Sequence, residues 1–138
     1  MPEIAHTAHD MIAGMTPELR GGQFVFACIT NESALTALFP KSIASFQEAE
    51  GMSLILPHDV AEAAGEPIDA PMRCITLNVY SSLEGCGLTA AVATALADAQ
   101  IACNMVAAHH HDHAFVPADK AEEALAILVG LQDRTMRS

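Results

Sequence analysis

The stretch that decides the fold runs from Arg73-Cys-Ile-Thr-Leu-Asn-Val-Tyr80 through a turn of small residues, Ser81-Ser-Leu-Glu-Gly-Cys-Gly-Leu88, into an alanine-rich segment. Apolar and polar side chains alternate over residues 73–80, which predicts a strand with one buried face. Residues 88–99 carry apolar side chains three and four positions apart, which predicts a helix with one buried stripe.

The segments after this helix continue the unit. Residues 101–108 are apolar on both sides apart from Asn104, which predicts a central strand. A short apolar segment over 114–117 and a helix over 118–131 follow. This order is most of a βαββαβ unit. The pattern therefore predicts an α+β sandwich, with an antiparallel sheet that carries its helices on one face.

The last strand of such a unit is missing from the end of the chain. Residues 132–138 are mostly polar, and we expect them to fray. The vacant sheet edge would be filled by residues 23–29 or by another subunit. Because an open edge in a stable protein is normally paired or covered, the pattern predicts a homodimer unless the N-terminal strand closes the edge.

The N-terminal part of the chain contains a second set of elements. A glycine, Gly51, separates two strand-like segments and predicts a hairpin with a positive φ at its turn. The loop over 65–71 is the only plausible boundary, so we expect an N-terminal half over 1–70 and a C-terminal domain over 71–138. The predicted elements of the first half are a helix over 6–15, a strand over 23–29, the hairpin of 43–46 with 52–56, and a short helix over 57–64.

Composition excludes several classes of partner. Six lysines and arginines stand against 17 aspartates and glutamates, a net charge of −11, so we expect no nucleic-acid partner. The longest apolar runs fall well short of the roughly 18 residues that a membrane span needs, so we expect no membrane partner. The N-terminus has no basic segment of the secretory kind, and the four cysteines match no zinc spacing. These features predict a cytoplasmic protein with free thiols.

The turn over 81–88 has the composition of an anion site. Ser81 and Ser82 can cap the helix, while Gly85 and Gly87 allow a ligand carboxylate to approach the backbone N–H groups closely. The alternative is that the turn only caps the helix and packs it tightly on the sheet.

The tract His109-His-His-Asp-His113 is the second chemical feature. If it is extended, His109, His111 and His113 share one face and could hold zinc with an open position for water. The alternative is a polar hairpin between two strands. We favour the hairpin, because nothing nearby supplies a general base and the helices contain no Glu-x-x-His pattern. The expectation is therefore no bound metal, no cofactor and no enzymatic activity.

Residues 73–97 are similar to the first strand, ligand turn and helix of ACT domains. Residues 103–107 and 111–117 resemble one group of small bacterial ACT-like proteins of unassigned activity, and segments within 24–57 resemble the leading part of the same group. The resemblance implies a ferredoxin-like fold with two ACT-like halves. ACT domains are regulatory modules that bind amino acids or similar small molecules, usually where two such domains pack side by side.

The resemblance implies a ligand cleft near the turn, facing the strand that carries Asn104. Asn104 has a donor and an acceptor for a ligand's carboxylate and ammonium groups. The family pattern matches best at His111-Asp112-His113, which indicates a structural or ligand-contact role. It departs at His109 and His110, where the family more often has aromatic residues, and at Cys86, where it has a small aliphatic residue. The implied ligand-binding residues are Ser81, Ser82, Leu83, Gly85, Gly87, Leu88, Asn104 and His111.

Three functions follow from these features. The first is a non-catalytic regulatory module, a homodimer that binds an amino acid or a related small metabolite. The second is a metal-dependent enzyme that uses the histidines of 109–113. The third is a structural or partner-binding ACT protein whose cleft is closed by its own side chains.

Overall fold

A computed structural model describes residues 7–79 and 86–137 of the chain. The chain forms two compact units. Unit 1 combines the chain up to Gly21 with the chain from Arg73 onward, and unit 2 is Gly22–Met72. Unit 1 thus draws on both ends of the sequence, whereas the predicted halves 1–70 and 71–138 are contiguous segments.

The described elements alternate between helices and strands. In chain order they are α1 (Ala8–Gly14), β1 (Glu18–Leu19), β2 (Phe24–Ile29), α2 (Glu32–Leu38), a 3-10 turn (Phe39–Lys41), β3 (Ala44–Glu48), β4 (Gly51–Pro57), α3 (His58–Ala63), β5 (Met72–Thr76), α4 (Leu88–Asp98), β6 (Asn104–Ala107), β7 (Asp112–Pro117), a 3-10 turn (Ala118–Lys120) and α5 (Ala121–Met136).

Unit 1 is an antiparallel sheet with α1, α4 and α5 on one face. Its strand order is β1-β5-β7-β6. Ile75 of β5, Val92 of α4 and Leu128 of α5 belong to one buried cluster, because the alternation along the strands and the helical stripes direct these side chains into the same layer. The predicted α+β class, with an antiparallel sheet and helices, is confirmed.

The prediction of a central strand over 101–108 is wrong. The strand is only β6, and in the described chain it lies at the end of the strand order, paired with β7. Cys103 and Met105 pack against the core, but Asn104 and Ala107 are exposed. Exposed alanines had made both sides of the segment look apolar, since a side chain that small is tolerated at the surface.

The edge beyond β5 is covered by a segment that the sequence did not reveal. In unit 1, β1 pairs antiparallel with β5, with Glu18 opposite Thr76 and Leu19 opposite Ile75. The predicted strand over 23–29 exists as β2. In unit 2 it lies opposite Met72 at a single residue, Phe24.

The predicted fraying is also wrong for residues 132–136, because α5 continues to Met136. The Gln132 side chain donates a hydrogen bond to the Ala13 carbonyl oxygen at the end of α1 (3.3 Å). Thr135 donates its hydroxyl to the Leu131 carbonyl oxygen (2.8 Å). These polar residues extend the helix because they bond to backbone carbonyls.

Unit 2 contains an antiparallel sheet in the order β3-β4-β2. The predicted hairpin is confirmed, with Glu48 opposite Gly51 at its end. Gly51 has φ 153°, and a Cβ there would lie 2.9 Å from the Ile29 carbonyl oxygen, so only glycine fits. The second core of the protein lies between this sheet and its helices and includes Val25, Ala27, Ile29, Leu38, Leu54, Leu56 and Ala61.

Helix α2 was not predicted from the sequence. Its N-cap is Asn31, whose side-chain oxygen accepts a hydrogen bond from the Ala34 N–H at 2.9 Å. Asn31 followed by the apolar pair Leu35 and Leu38 was the available signal. None of the described helices is long and apolar enough to span a membrane.

Candidate functional site

Half of the implied ligand-binding residues can be located. Ser81, Ser82, Leu83 and Gly85 lie outside the described residues, together with the capping role expected of the two serines. Gly87 and Leu88 lie at the start of α4, Asn104 lies on β6, and His111 lies in the hairpin before β7.

Gly87 is the N-cap of α4 and has a left-handed backbone, with φ 109°. Having no side chain, it forms no cap hydrogen bond of its own. A Cβ at this position would lie 2.5 Å from the Cβ of Ala8 on α1, well inside van der Waals contact. Glycine is therefore required both by the backbone conformation and by the packing of α1 against the first turn of α4.

The close approach to the backbone that Gly87 permits is thus made by helix α1 of the same chain. Leu88, the first residue of α4, is buried in the unit 1 core and anchors the helix there. The contact with Ala8 gives Gly87 a packing role in addition to any role in ligand binding.

His111 lies against the chain segment that leads into the predicted turn. Its Nδ1 lies 3.2 Å from the Val79 carbonyl oxygen, and because a carbonyl can only accept, Nδ1 must carry the proton of this hydrogen bond. One residue along, the Leu77 N–H donates to the Asp112 carbonyl oxygen at 3.0 Å. The hairpin is therefore fixed beside the last described residue before the turn.

The histidine tract forms the predicted hairpin between two strands. Strand β6 ends at Ala107 and β7 begins at Asp112, while the Ala108 N–H donates to the His111 carbonyl oxygen at 3.0 Å. His109 and His110 are exposed in the turn. Across residues 7–79 and 86–137, no group of three or more His, Cys, Asp or Glu side chains is placed to hold a metal ion.

A buried polar cluster lies on the sheet face of unit 1 that points away from the helices. Thr76 is only 7% exposed, and its Oγ1 shares a hydrogen bond of 3.0 Å with His113 Nδ1. The Cys74 Sγ lies 4.0 Å from that hydroxyl and 4.0 Å from Arg20 Nη1. The hydrogen bond with His113 satisfies the buried Thr76 hydroxyl, which would cost stability if it had no partner.

Burial dominates the titration of this cluster. It raises the pKa of the Cys74 thiol, against the hydrogen bond from Thr76 and the charge of Arg20. It lowers the pKa of His113, as do the charges of Arg20 and His111, while Asp112 acts in the opposite direction. It also raises the pKa of Asp112. At neutral pH the cluster holds a protonated thiol and a neutral imidazole, which is typical of structural polar groups rather than an activated nucleophile.

Sequence reasoning missed the pairing of Thr76 with His113. The alternation over residues 73–80 did place Cys74 and Thr76 on the face opposite Ile75. Their partner across the sheet depends on the register between β5 and β7, which the sequence does not reveal. Asn104 lies on the same face, because Val106, two residues along β6, is opposite His113.

One family model described as ACT domain matches residues 7–73, and a second one with the same description matches residues 69–129. No protein of curated function is similar enough to count as a match.

Among solved structures, a protein of unknown function from Vibrio cholerae, described as a possible transport protein, shares 38% sequence identity. The match covers 90% of this chain and 94% of that chain, with a TM-score of 0.79. An Agrobacterium tumefaciens protein shares 16% identity over 86% of this chain and 89% of its own, with a TM-score of 0.67. The regulatory subunit of aspartate kinase from Thermus flavus shares 15% identity over 86% and 96%, with a TM-score of 0.52. At these lower identities the likeness shows the fold alone.

Proposed function

Because the chain belongs to the ACT domain family, we propose that it is a regulatory module that binds an amino acid or a related small metabolite and has no catalysis of its own. The observation that carries this proposal is the pair of consecutive ACT domain matches, which together span residues 7–129. The regulatory subunit of an aspartate kinase has a similar fold, and the regulatory role proposed for this chain is an analogy with it.

The proposed ligand site lies at the start of α4 and in the turn before it. The first N–H groups of an α-helix have no partner within the helix, and the helix dipole favours an anion there, so a ligand carboxylate is stabilised at this end. The His111 hairpin is bonded to Val79, the last described residue before the predicted turn. His111 would therefore contact a ligand from the side.

Asn104 is the proposed ligand-binding residue that lies on a strand of the sheet. It is exposed on β6, which ends the strand order in the described part of unit 1. We propose that two copies pair through their β6 edges about a two-fold axis, which would bring Asn104 of each copy into the interface. The net charge of −11 disfavours the association of two copies in general, so pairing needs an uncharged surface. Strand β6, Asn-Met-Val-Ala, carries no charge.

A thermal-shift screen of the common amino acids tests the proposal. A ligand that binds only the folded state must raise the melting temperature, by an amount that grows with its concentration. We expect at least one amino acid to do so at millimolar concentration, and we expect Asn104→Ala to reduce the effect. Gln47→Ala, an exposed polar change on β3 of unit 2, is the matched control and should leave the shift intact.

A second candidate, a structural or partner-binding ACT protein with a closed cleft, is favoured by one observation. Ala8 of α1 is packed so closely on Gly87 that no side chain fits between them. The screen repeated with Asn104→Ala separates the two functions, since a closed cleft predicts no stabilisation that depends on Asn104.

A further inference from the structure

Unit 2 contains a cleft that is separate from the site proposed above. It lies between α3 and the end of α2 with its 3-10 turn, and its volume is about 370 Å³. Small side chains on both helices, Ala37, Ala63 and Ala64, leave the space unfilled. Leu38 and Val60 also line it, and both pack into the unit 2 core, so they provide an apolar wall.

Charge at this cleft is unusual for the unit. Lys41 is the only lysine or arginine in residues 22–72, and it lines the cleft. The same residues contain seven carboxylates, namely Glu32, Glu48, Glu50, Asp59, Glu62, Glu66 and Asp69. Despite that excess, Lys41 makes no ion pair within the described chain. Lys41 is therefore the one fixed side-chain cation in unit 2 that can attract an anionic group.

Asp59 lines the same cleft with the opposite charge. One of its oxygens accepts a hydrogen bond from the Val60 N–H at 3.0 Å, which fixes the carboxylate at the start of α3. Lys41 and Asp59 do not form a salt bridge with each other in the described structure, so a ligand does not have to break one. The cleft thus combines one cation, one anion and an apolar wall.

We propose that this cleft binds a small zwitterion with a short apolar chain. The ligand's carboxylate pairs with Lys41, its ammonium group pairs with Asp59, and its chain packs on Leu38 and Val60. The volume lies within the range of roughly 300–1,000 Å³ typical of small-molecule sites. The inference does not depend on the proposed function, because the cleft belongs to unit 2 and uses none of the residues around α4.

Three probes of the same shape test the proposal on the full chain by amide NMR. They are L-leucine, 4-methylpentanoate, which lacks its ammonium group, and 3-methylbutylamine, which lacks its carboxylate. We expect leucine to cause saturable shifts at the amides of Ala37, Ala63 and Ala64. Each of the other two should bind about tenfold more weakly or worse, because each leaves one charged group of the cleft without its partner.

Matched variants assign the effect to the two charges. Lys41→Gln and Asp59→Asn should each weaken leucine binding at these amides by about tenfold. Lys120→Gln in unit 1 and Glu62→Gln on the exposed side of α3 make the same charge changes and should leave binding unaltered. Ala63→Leu, which fills the cleft, should abolish the shifts.

The proposal is overturned if leucine gives no saturable shift at these amides at millimolar concentration, or if Lys41→Gln binds as tightly as Lys120→Gln. Shifts confined to the amides of residues 88–90 would support the site near α4 and overturn the cleft. Shifts confined to the cleft would do the opposite, so the two proposals fail separately.

Discussion

Gly87 shows how one residue can serve both the fold and a site. Its φ of 109° and the Ala8 Cβ leave no space for a side chain. Gly87→Ala should therefore lower the free energy of unfolding by about 1–3 kcal/mol, because the backbone is strained and α1 is displaced. Urea denaturation followed by circular dichroism measures this.

Gly130 is the matched control for that substitution. It lies inside α5, and a Cβ there would meet only the flexible end of Arg134, at 3.3 Å. Gly130→Ala should stabilise the protein by about 0.5–1 kcal/mol, since glycine is a poor helix former. If both variants were equally stable, the close packing of α1 on α4 would be refuted.

The Thr76–His113 pair predicts a dependence of stability on pH. Because burial lowers the pKa of His113 below its ordinary value of 6.5, the unfolded chain takes up this proton first as the pH falls. The free energy of unfolding should therefore decrease as the pH falls through that value, until the folded-state pKa is also passed. Asp112, whose pKa is raised above 3.8, acts in the opposite direction only nearer that lower pH.

His113→Gln removes the titrating group but retains hydrogen-bonding atoms. Chemical denaturation at a series of pH values between neutral and mildly acidic conditions should show a shallower dependence for this variant than for the parent. Parallel curves would mean that His113 is protonated equally easily in the folded and unfolded chains.

At the scale of elements, the helices of unit 1 were predictable because each carries buried apolar residues at helical spacing. Leu88, Val92 and Leu96 of α4 lie on the predicted face and are buried. Ala121, Ala124 and Leu128 of α5 do the same. Periodicity identifies the buried side of an element reliably, because a helix must direct its apolar stripe toward the core.

Periodicity does not reveal which strands lie next to each other in a sheet. For this reason the strand order was not predicted correctly from the sequence. Strand β6 was expected at the centre of the sheet but lies at its edge, and the two-residue strand β1 has no pattern to detect. The contact between Thr76 and His113 could not be predicted for the same reason, because it depends on strand register. The cleft beside Lys41 depends on α2, which was not predicted.

Leu96 tests the packing of α4 on the sheet. Its side chain is fully buried in the unit 1 core. Leu96→Ala should cost about 2–5 kcal/mol, through lost apolar burial and the cavity left behind. Thr94→Ala, an exposed change on the same helix, should stay within about 0.5 kcal/mol of the parent. Equal stabilities would show that α4 does not pack as described.

At the scale of the whole molecule, the proposed pairing of two copies through β6 can be tested directly. If two copies pair there, sedimentation at micromolar concentration should give a dimer. Ala107→Glu adds a charge to the exposed edge, which the two-fold axis repeats close by, so this variant should dissociate to monomers. Thr94→Glu adds the same charge on α4 and should remain dimeric. A clean monomer for the parent chain would exclude this assembly.

We expect the start of α4 in this ACT domain protein to bind a small metabolite. The most direct test is an amide NMR titration of the full chain with each common amino acid, followed at Leu88, Thr89, Asn104 and His111. We expect at least one amino acid to shift these signals saturably at millimolar concentration. If none of them does so, the proposed ligand site near α4 is contradicted.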